Sequence, residues 1–344
     1  MAEKLPDKFG IDFGNHSIKA VYLKGIDSPK PELINFGSAP TPFGVLNTET
    51  DIHIDRLASV VRNLVKEANI KTKAVVSAIP ESVVSTRVST FKGIKPKELN
   101  DAVYWDTKQS LPVPIEEMEI SWMLLGEKKE TEEYMVLRVA ATKKMISTYT
   151  KILQKAGLDP VAMETEGVAI ARLVKQLGQA EGVVVLDFGS QTTDMSIVRD
   201  GNLLFSQSIS TGSDAFTHAI MNDFSLEYNQ AEQYKIKYGL DETQLEGKIY
   251  KSLEPIAKII VGEVVRGIEF YKSQTGFSAP KDVYLVGDGS LLPNLVVYMT
   301  TELGLNVTLT NPWSNISVKE SDMAVLDKSK SAYAVCVGLA LRSF

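Results

Sequence analysis

A chain of 344 residues, 44% of them hydrophobic and 23% charged, is too long for one small core and suits two domains of ordinary size. Its net charge of −6 lacks the basic footprint of a nucleic-acid binder. A single cysteine, Cys336 in an apolar run, excludes an intrachain disulfide and reads as a small buried hydrophobe in a reducing compartment, while the scattered His16, His53 and His218 argue against structural zinc.

The opening MAEKLPDKFG has no apolar core and is not a signal peptide, and no run in the chain approaches the ~20 apolar residues of a membrane helix. Phe9–Lys24 (FGIDFGNHSIKAVYLK) reads as an apolar strand ending at Asp12, a turn of Gly and small polar residues, and an alternating strand. Ile54, Leu57, Val61, Leu64 and Ala68 recur at helical spacing. A strand follows at Ala74–Ala78. Pro80–Lys155 departs from the rest, with Pro96, Pro112 and Pro114, an acidic run (Glu116, Glu117, Glu119) and a charged turn at 126–133. It reads as an inserted subdomain, with a strand at Val136–Ala141. Helices are expected at Met145–Ala156, capped by Gly157, and at Thr165–Leu177, closed by Gly178. Val184–Arg199 (VVLDFGSQTTDMSIVR) then repeats the opening hairpin half a chain later, with Asp187, Phe188 and Gly189 in the places of Asp12, Phe13 and Gly14. A long helix over Leu253–Gln274 contains Gly262 and Gly267, whose expected use is close approach, and Asp282–Val286 is a buried strand. Trp105, Trp122 and Trp313 are expected in core or subdomain packing. Interspersed strands and helices make the class α/β.

The hairpins carry the chemistry. A turn rich in Gly and small residues converges backbone N–H groups on phosphate oxygens. In the first, Gly14, Asn15, His16 and Ser17 form the turn, Ser17 can donate a hydroxyl and Lys19 can place a positive charge on phosphate. Asp12 repels phosphate and suits a magnesium ion held through water. In the second, Asp187 is the matching acid, and Gly189, Ser190, Gln191, Thr192 and Thr193 form the turn. One such turn is commonly only a β-turn; its repetition points to two loops around one polyphosphate. Lys19 could also be an exposed strand lysine.

Asp12–Lys19 and Asp187–Asp194 resemble the first and second phosphate motifs of the actin/hexokinase/chaperone ATPase superfamily, and VYLVGDGSLLPNL at 283–295 resembles its adenosine motif, with Gly287, Asp288, Gly289 and Ser290 at the nucleotide. Val161–Leu173 and Ala332–Leu341 stand where its two interdomain helices belong. Ile18-Lys19-Ala20-Val21, Ala78-Ile79-Pro80 with Arg87, Lys97-Glu98-Leu99, Gln109-Ser110-Leu111-Pro112, and Val139-Ala140-Ala141-Thr142 followed by Ala156-Gly157-Leu158 narrow the resemblance to the FtsA/PilM branch, and within it to the type IV pilus proteins. The resemblance spans the chain. It implies an actin-like fold of duplicated ribonuclease-H-like domains in which an FtsA-type subdomain 1C replaces 1B. The expected divisions are 1A at 1–79 with 156–180 and 327–344, 1C at 80–155, 2A at 181–215 with 276–326, and 2B at 216–275.

The resemblance implies ATP and Mg2+ as ligands, with Asp12 and Asp187 as water-mediated metal residues. Gly212-Ser213 stands where a Gly-Gly pair borders the phosphates. Glu232 stands at the ribose and Lys235 beside the adenine, on one helix face; a solvated ion pair is the other reading of those two. Glu166 stands where bacterial actins keep the acid that positions the attacking water, and an acid also suits a helix start. Asp288 interrupts consecutive glycines; it tolerates left-handed backbone, and could bond a ribose or repel phosphate. The implied function is a cytoplasmic scaffold, at most a weak ATPase, that binds the N-terminal cytoplasmic segment of a PilN-like single-pass inner-membrane protein at a groove involving 1C. Pilus motor proteins and self-association are further implied partners. The chain ends at Ser343-Phe344 without the amphipathic tail of FtsA relatives, so attachment to the membrane through a partner is expected, without direct insertion. An FtsA-like filament former and a small-molecule kinase are the alternatives; a kinase needs a general-base aspartate and a substrate pocket that the sequence does not display.

Overall fold

The computed structural model describes residues 7–46, 50–111, 113–128 and 131–343; the opening MAEKLP, Pro112 and Phe344, which figure in the expectations above, lie outside them. The first half runs β1 (Lys8–Phe13), β2 (Ser17–Lys24), β3 (Glu32–Pro40), α1 (Asp51–Glu67), β4 (Ala74–Ile79), β5 (Ser85–Lys92), α2 (Leu99–Ser110), β6 (Met118–Lys128), β7 (Glu133–Thr142), α3 (Lys143–Lys155), β8 (Asp159–Thr165) and α4 (Glu166–Gln176). The second runs β9 (Val183–Phe188), β10 (Thr193–Arg199), β11 (Asn202–Ile209), α5 (Ser213–Phe224), α6 (Tyr228–Tyr238), α7 (Lys248–Thr275), β12 (Asp282–Val286), α8 (Leu295–Leu303), β13 (Asn306–Leu309), α9 (Glu320–Leu326) and α10 (Ala334–Ala340).

The repeat in sequence is a repeat in topology. One sheet has the order β3-β2-β1-β4-β8 and another the order β11-β10-β9-β12-β13. In each, the hairpin strands are antiparallel, and the first of them runs parallel to the next crossover strand. This is the expected α/β architecture of duplicated ribonuclease-H-like domains. The central strands β1 and β9 are covered on both faces, and their middles are apolar on both, Phe9–Ile11 in β1 and Val183–Leu186 in β9. α1 and α3 pack on the outer face of the first sheet around Phe9, Ile11, Leu57, Val61 and Leu153. α5 to α8 cover the outer face of the second around Leu186, Phe216, Leu253 and Met299. α4 and α10 lie between the sheets, where Val76, Leu173, Val185 and Val337 share one core.

Local signals explain the helix starts. Thr50 Oγ1 accepts from the His53 N–H ahead of α1, and Thr142 Oγ1 accepts from the Met145 N–H ahead of α3. The segment Val161–Leu173 is only partly helical. Val161–Thr165 finishes β8, and Thr165 caps α4 by accepting from Val168 N–H. Of the two glycines within α7, Gly267 is a close-approach site: a Cβ there would meet Met195 Sδ at 2.7 Å. Gly262 is not, because its nearest neighbour would be Arg266 Nη1 at 3.8 Å.

β5, β7 and β6 form a third, antiparallel sheet backed by α2, with Leu99, Val103, Tyr134 and Val136 as its own small core. This body ends at Thr142. α3, inside the expected 80–155 unit, packs with α1 in the first sheet's core instead. The tryptophans divide. Trp313 is core beside Tyr333, and Trp122 Nε1 donates to Asn100 Oδ1. Trp105 contradicts the packing expectation: it stands 55% exposed on α2, with the Lys108 ammonium over its ring. Cys336 is fully buried as expected, its thiol directed at the Gly10 and Lys19 carbonyls.

Candidate functional site

The β1–β2 and β9–β10 turns face one another across a cavity of about 440 Å³. Both turns are built alike. A Cβ on Gly14 would lie 2.8 Å from Ser17 O, and one on Gly189 would lie 3.0 Å from Thr192 O. Close approach, not a left-handed backbone, is therefore what requires glycine there; neither residue has a positive φ. Thr41 secures the first turn through Oγ1 to Gly14 O and N–H to His16 O. In the second, Gly189 N–H donates to Thr192 O at 2.9 Å.

Strand register sets the charges. Asp12 stands opposite Lys19, whereas the equivalent pair in the second hairpin is Asp187 opposite Asp194. With Glu166 at the start of α4, these three aspartates and Lys19 converge at the floor of the cavity. Burial pushes Asp12 up to about 6, with Lys19 opposing. Burial, then Asp194 and Asp12, push Asp187 up to about 8. Burial lifts Asp194 to about 6 against the pull of Ser208 and Thr192, and lifts Glu166 well above the usual carboxylate range, with Asp194, Asp12 and Asp187 adding to it. Burial works against the Lys19 ammonium, yet Asp288, Asp12 and Asp187 outweigh it.

Lys19 is not an exposed strand lysine. Its Nζ lies 2.8 Å from Asp288 Oδ2, with the lysine side chain 8% exposed, so the pair joins the two halves across the cavity. Asp288 has no left-handed backbone; Gly287 carries the positive φ of 85°. A Cβ on Gly287 would fall 2.2 Å from Asp187 Oδ1, which is why glycine is required there.

The cavity brings together Asp12, Gly14, Asn15, His16, Ser17, Lys19, Glu166, Asp187, Gly189, Ser190, Gln191, Thr192, Ser213, Glu232, Lys235, Gly287, Asp288 and Gly289. Three expected residues stay out of it. Thr193 is fully buried, its hydroxyl donating to Thr211 O. Gly212 packs behind the second turn, where a Cβ would meet Ser190 O at 2.4 Å. Ser290 points inward to Gly287 O and Ser331 Oγ. Glu232 and Lys235 do form an ion pair, at 2.8 Å, but Lys235 is buried rather than solvated. Glu232 also accepts from Thr217 Oγ1, and Lys235 donates to Ser213 O.

Sequence reasoning missed Asp194, although the alignment of the hairpins carried the signal: Asp194 occupies the position of Lys19, and a strand that turns Asp194 toward the site turns Thr193 away. It also missed Tyr149, Ser82, Asp214 and Tyr228, which line the cavity from outside the motifs.

The acid cluster makes a testable demand. A carboxyl whose folded pKa is raised above its unfolded value binds more protons in the folded state between those two values, so stability falls as pH rises through that window. For Asp187 the window runs from 3.8 to about 8. Without ligand, Asp187→Asn is expected to raise the thermal midpoint at pH 8 by about 2 °C for each kcal/mol relieved, and to have no effect near pH 4. Differential scanning calorimetry at both pH values checks this.

The model described as type IV pilus assembly protein PilM matches residues 10–344. A chain of the solved PilM-PilN type IV pilus biogenesis complex superposes with a TM-score of 0.84 at 29% identity, covering 98% of each chain. The cell division protein FtsA of Enterococcus faecalis is 22% identical, over 88% of this chain and 78% of its own. MreB5 of Spiroplasma citri bound to AMPPNP shares the fold at 14% identity, with a TM-score of 0.55 and coverage of 98% and 95%. The paired hairpins, the two matching sheets and the family match over nearly the whole length agree: this chain belongs to the type IV pilus assembly protein PilM family.

Proposed function

We propose that this chain is an actin-like scaffold of type IV pilus or related machinery that holds ATP with magnesium between its two hairpins and captures the cytoplasmic N-terminal segment of a PilN-like membrane protein. The observation that carries the nucleotide reading is the pair of equivalent turns facing one cavity with buried acids beneath them. Among the described residues Asp12 Oδ1 is buried without a hydrogen-bond partner, an oxygen suited to a cation or its water. Among the described residues no three His, Cys, Asp or Glu form a group that could hold a metal ion directly, and a magnesium ion keeps much of its hydration. Asp12, Asp187 and Asp194 would hold that ion, and its charge would neutralise phosphate. Lys19 would meet the phosphates, Glu232 and Lys235 the nucleoside, and Glu166 would orient water in any slow hydrolysis.

The partner reading rests on the PilN of the solved complex and on the third sheet, which we assign to subdomain 1C. No described helix is long and apolar enough to cross a membrane; the PilN of the solved complex supports attachment at the inner membrane through that partner. ATP sets the geometry of the docking groove by favouring one arrangement of the halves. Titrating the N-terminal peptide of the cognate PilN-like protein against the full chain, with and without Mg–ATP, tests this. The expected result is at least a fivefold difference in affinity, the low end of typical coupling; equal affinities would remove the gating.

A further inference from the structure

The connection from β4 to β5 contains a buried carboxylate that the proposed function leaves unused. Glu81 opens a short 3-10 turn, Glu81–Val83, and is 5% exposed. Its backbone N–H donates to Glu166 Oε2 at 2.9 Å. Its side chain faces the other way. Oε1 accepts from Ser206 Oγ on β11 at 2.7 Å, and Oε2 accepts from the Gly167 N–H in the first turn of α4 at 3.4 Å.

The surroundings make this junction tight. A Cβ on Gly167 would stand 3.0 Å from Leu203 Cδ2 and 3.4 Å from Ser206 Oγ, so the start of α4 is pressed onto β11. Residues on both sides of Glu81, Pro80 and Ser82, line the cavity themselves, and two residues beyond the turn the chain enters the third sheet. One residue thus touches the cleft acid, the second sheet and the root of the third sheet.

We propose that Glu81 is the positioning residue that transmits the state of the cleft to the third sheet, fixing Glu166 through its backbone and tying the root of β5 to β11 and α4 through its carboxylate. The inference rests on the nucleotide reading above and deepens it by naming the path. Glu81 belongs to the first half and bonds to Ser206 of the second, so a ligand that draws the halves together changes the distance this bond must span. The bond therefore differs between the two arrangements, which is what a coupling requires.

Hydrogen–deuterium exchange on the full chain, with Mg–ATP as the probe, tests it in wild type, Glu81→Gln and Ser206→Ala. In wild type, Mg–ATP is expected to slow exchange in both hairpins and, by about tenfold, in β5 and β7. Glu81→Gln keeps the hairpin protection and loses the protection of the third sheet. Ser206→Ala, which removes one hydroxyl and leaves the carboxylate, diminishes it and decides the matter if Glu81→Gln does not fold. Third-sheet protection equal to wild type in the variants, or hairpin protection without third-sheet protection in wild type, overturns the role of Glu81. A purely structural role lowers the thermal midpoint while leaving the ATP-induced difference intact. No hairpin protection in wild type overturns the nucleotide reading, and the inference with it.

Discussion

Lys19→Met is expected to weaken Mg–ATP binding about 100-fold, a loss of ~3 kcal/mol. Methionine keeps the length and volume of the side chain and removes the charge that faces Asp12 across the hairpin and Asp288 across the cleft. Removing one partner of a buried pair costs about 3–5 kcal/mol when the other stays charged. That full cost is discounted here because Asp288 is partly solvated and burial already raises the Asp12 carboxyl toward its neutral form. The phosphates then meet Asp12, Asp187 and Asp288 without a fixed cation. Asp288→Asn moves the affinity the other way, because it releases Lys19 from the contact that competes with phosphate. Calorimetric titration of both variants checks the pair, and Lys19→Met with wild-type affinity would show that the ammonium does not meet the nucleotide.

Gly338→Ala is expected to destabilise the chain by about 3 kcal/mol. α10 crosses α4 at this residue, and an added Cβ would lie 2.1 Å from Ala169 O and 2.5 Å from Ala169 C, both backbone atoms. No rotamer change relieves that contact. Arg172 fixes the crossing, donating to Gly338 O at 2.6 Å and bidentately to Glu164. The gain of ~1 kcal/mol in helix propensity cannot offset it. Gly262→Ala is the control: with open space around its Cβ it should gain most of that propensity term. Urea unfolding midpoints separate the two. Since α4 and α10 are the elements between the sheets, the first variant also loosens the cleft.

The hairpins were legible because their physics is local: an acid ends a strand, a glycine lets the turn close on itself, and a second strand alternates. β12 was equally plain as a short apolar run between Lys281 and Gly287, as was the apolar face of α1. What escaped depends on parity or on distant partners. Thr193 and Asp194 are neighbours in sequence but lie on opposite faces of β10, so including the turn residues wholesale admitted the wrong one. The resemblance places an interdomain helix over Val161–Leu173, yet Ala162–Thr165 pair with β4, and the Thr165 cap marks the helix start that the periodicity predicts. The ion pair of Lys19 with Asp288 and the bond of Glu81 to Ser206 join residues from opposite halves, and no periodicity announces them. Trp105 defied a composition-based expectation because α2 buries only Leu99, Val103 and Thr107 against the small third sheet, leaving its other faces to solvent.

The central claim is that two hairpins and their acids form a single magnesium-dependent nucleotide site. Isothermal titration of ATP into the full chain, in excess Mg2+ and again in EDTA, tests it most directly. One saturable site in Mg2+, weakened at least tenfold by EDTA as the uncompensated carboxylates repel phosphate, is the expected result. No binding in Mg2+, or binding indifferent to EDTA, would contradict it.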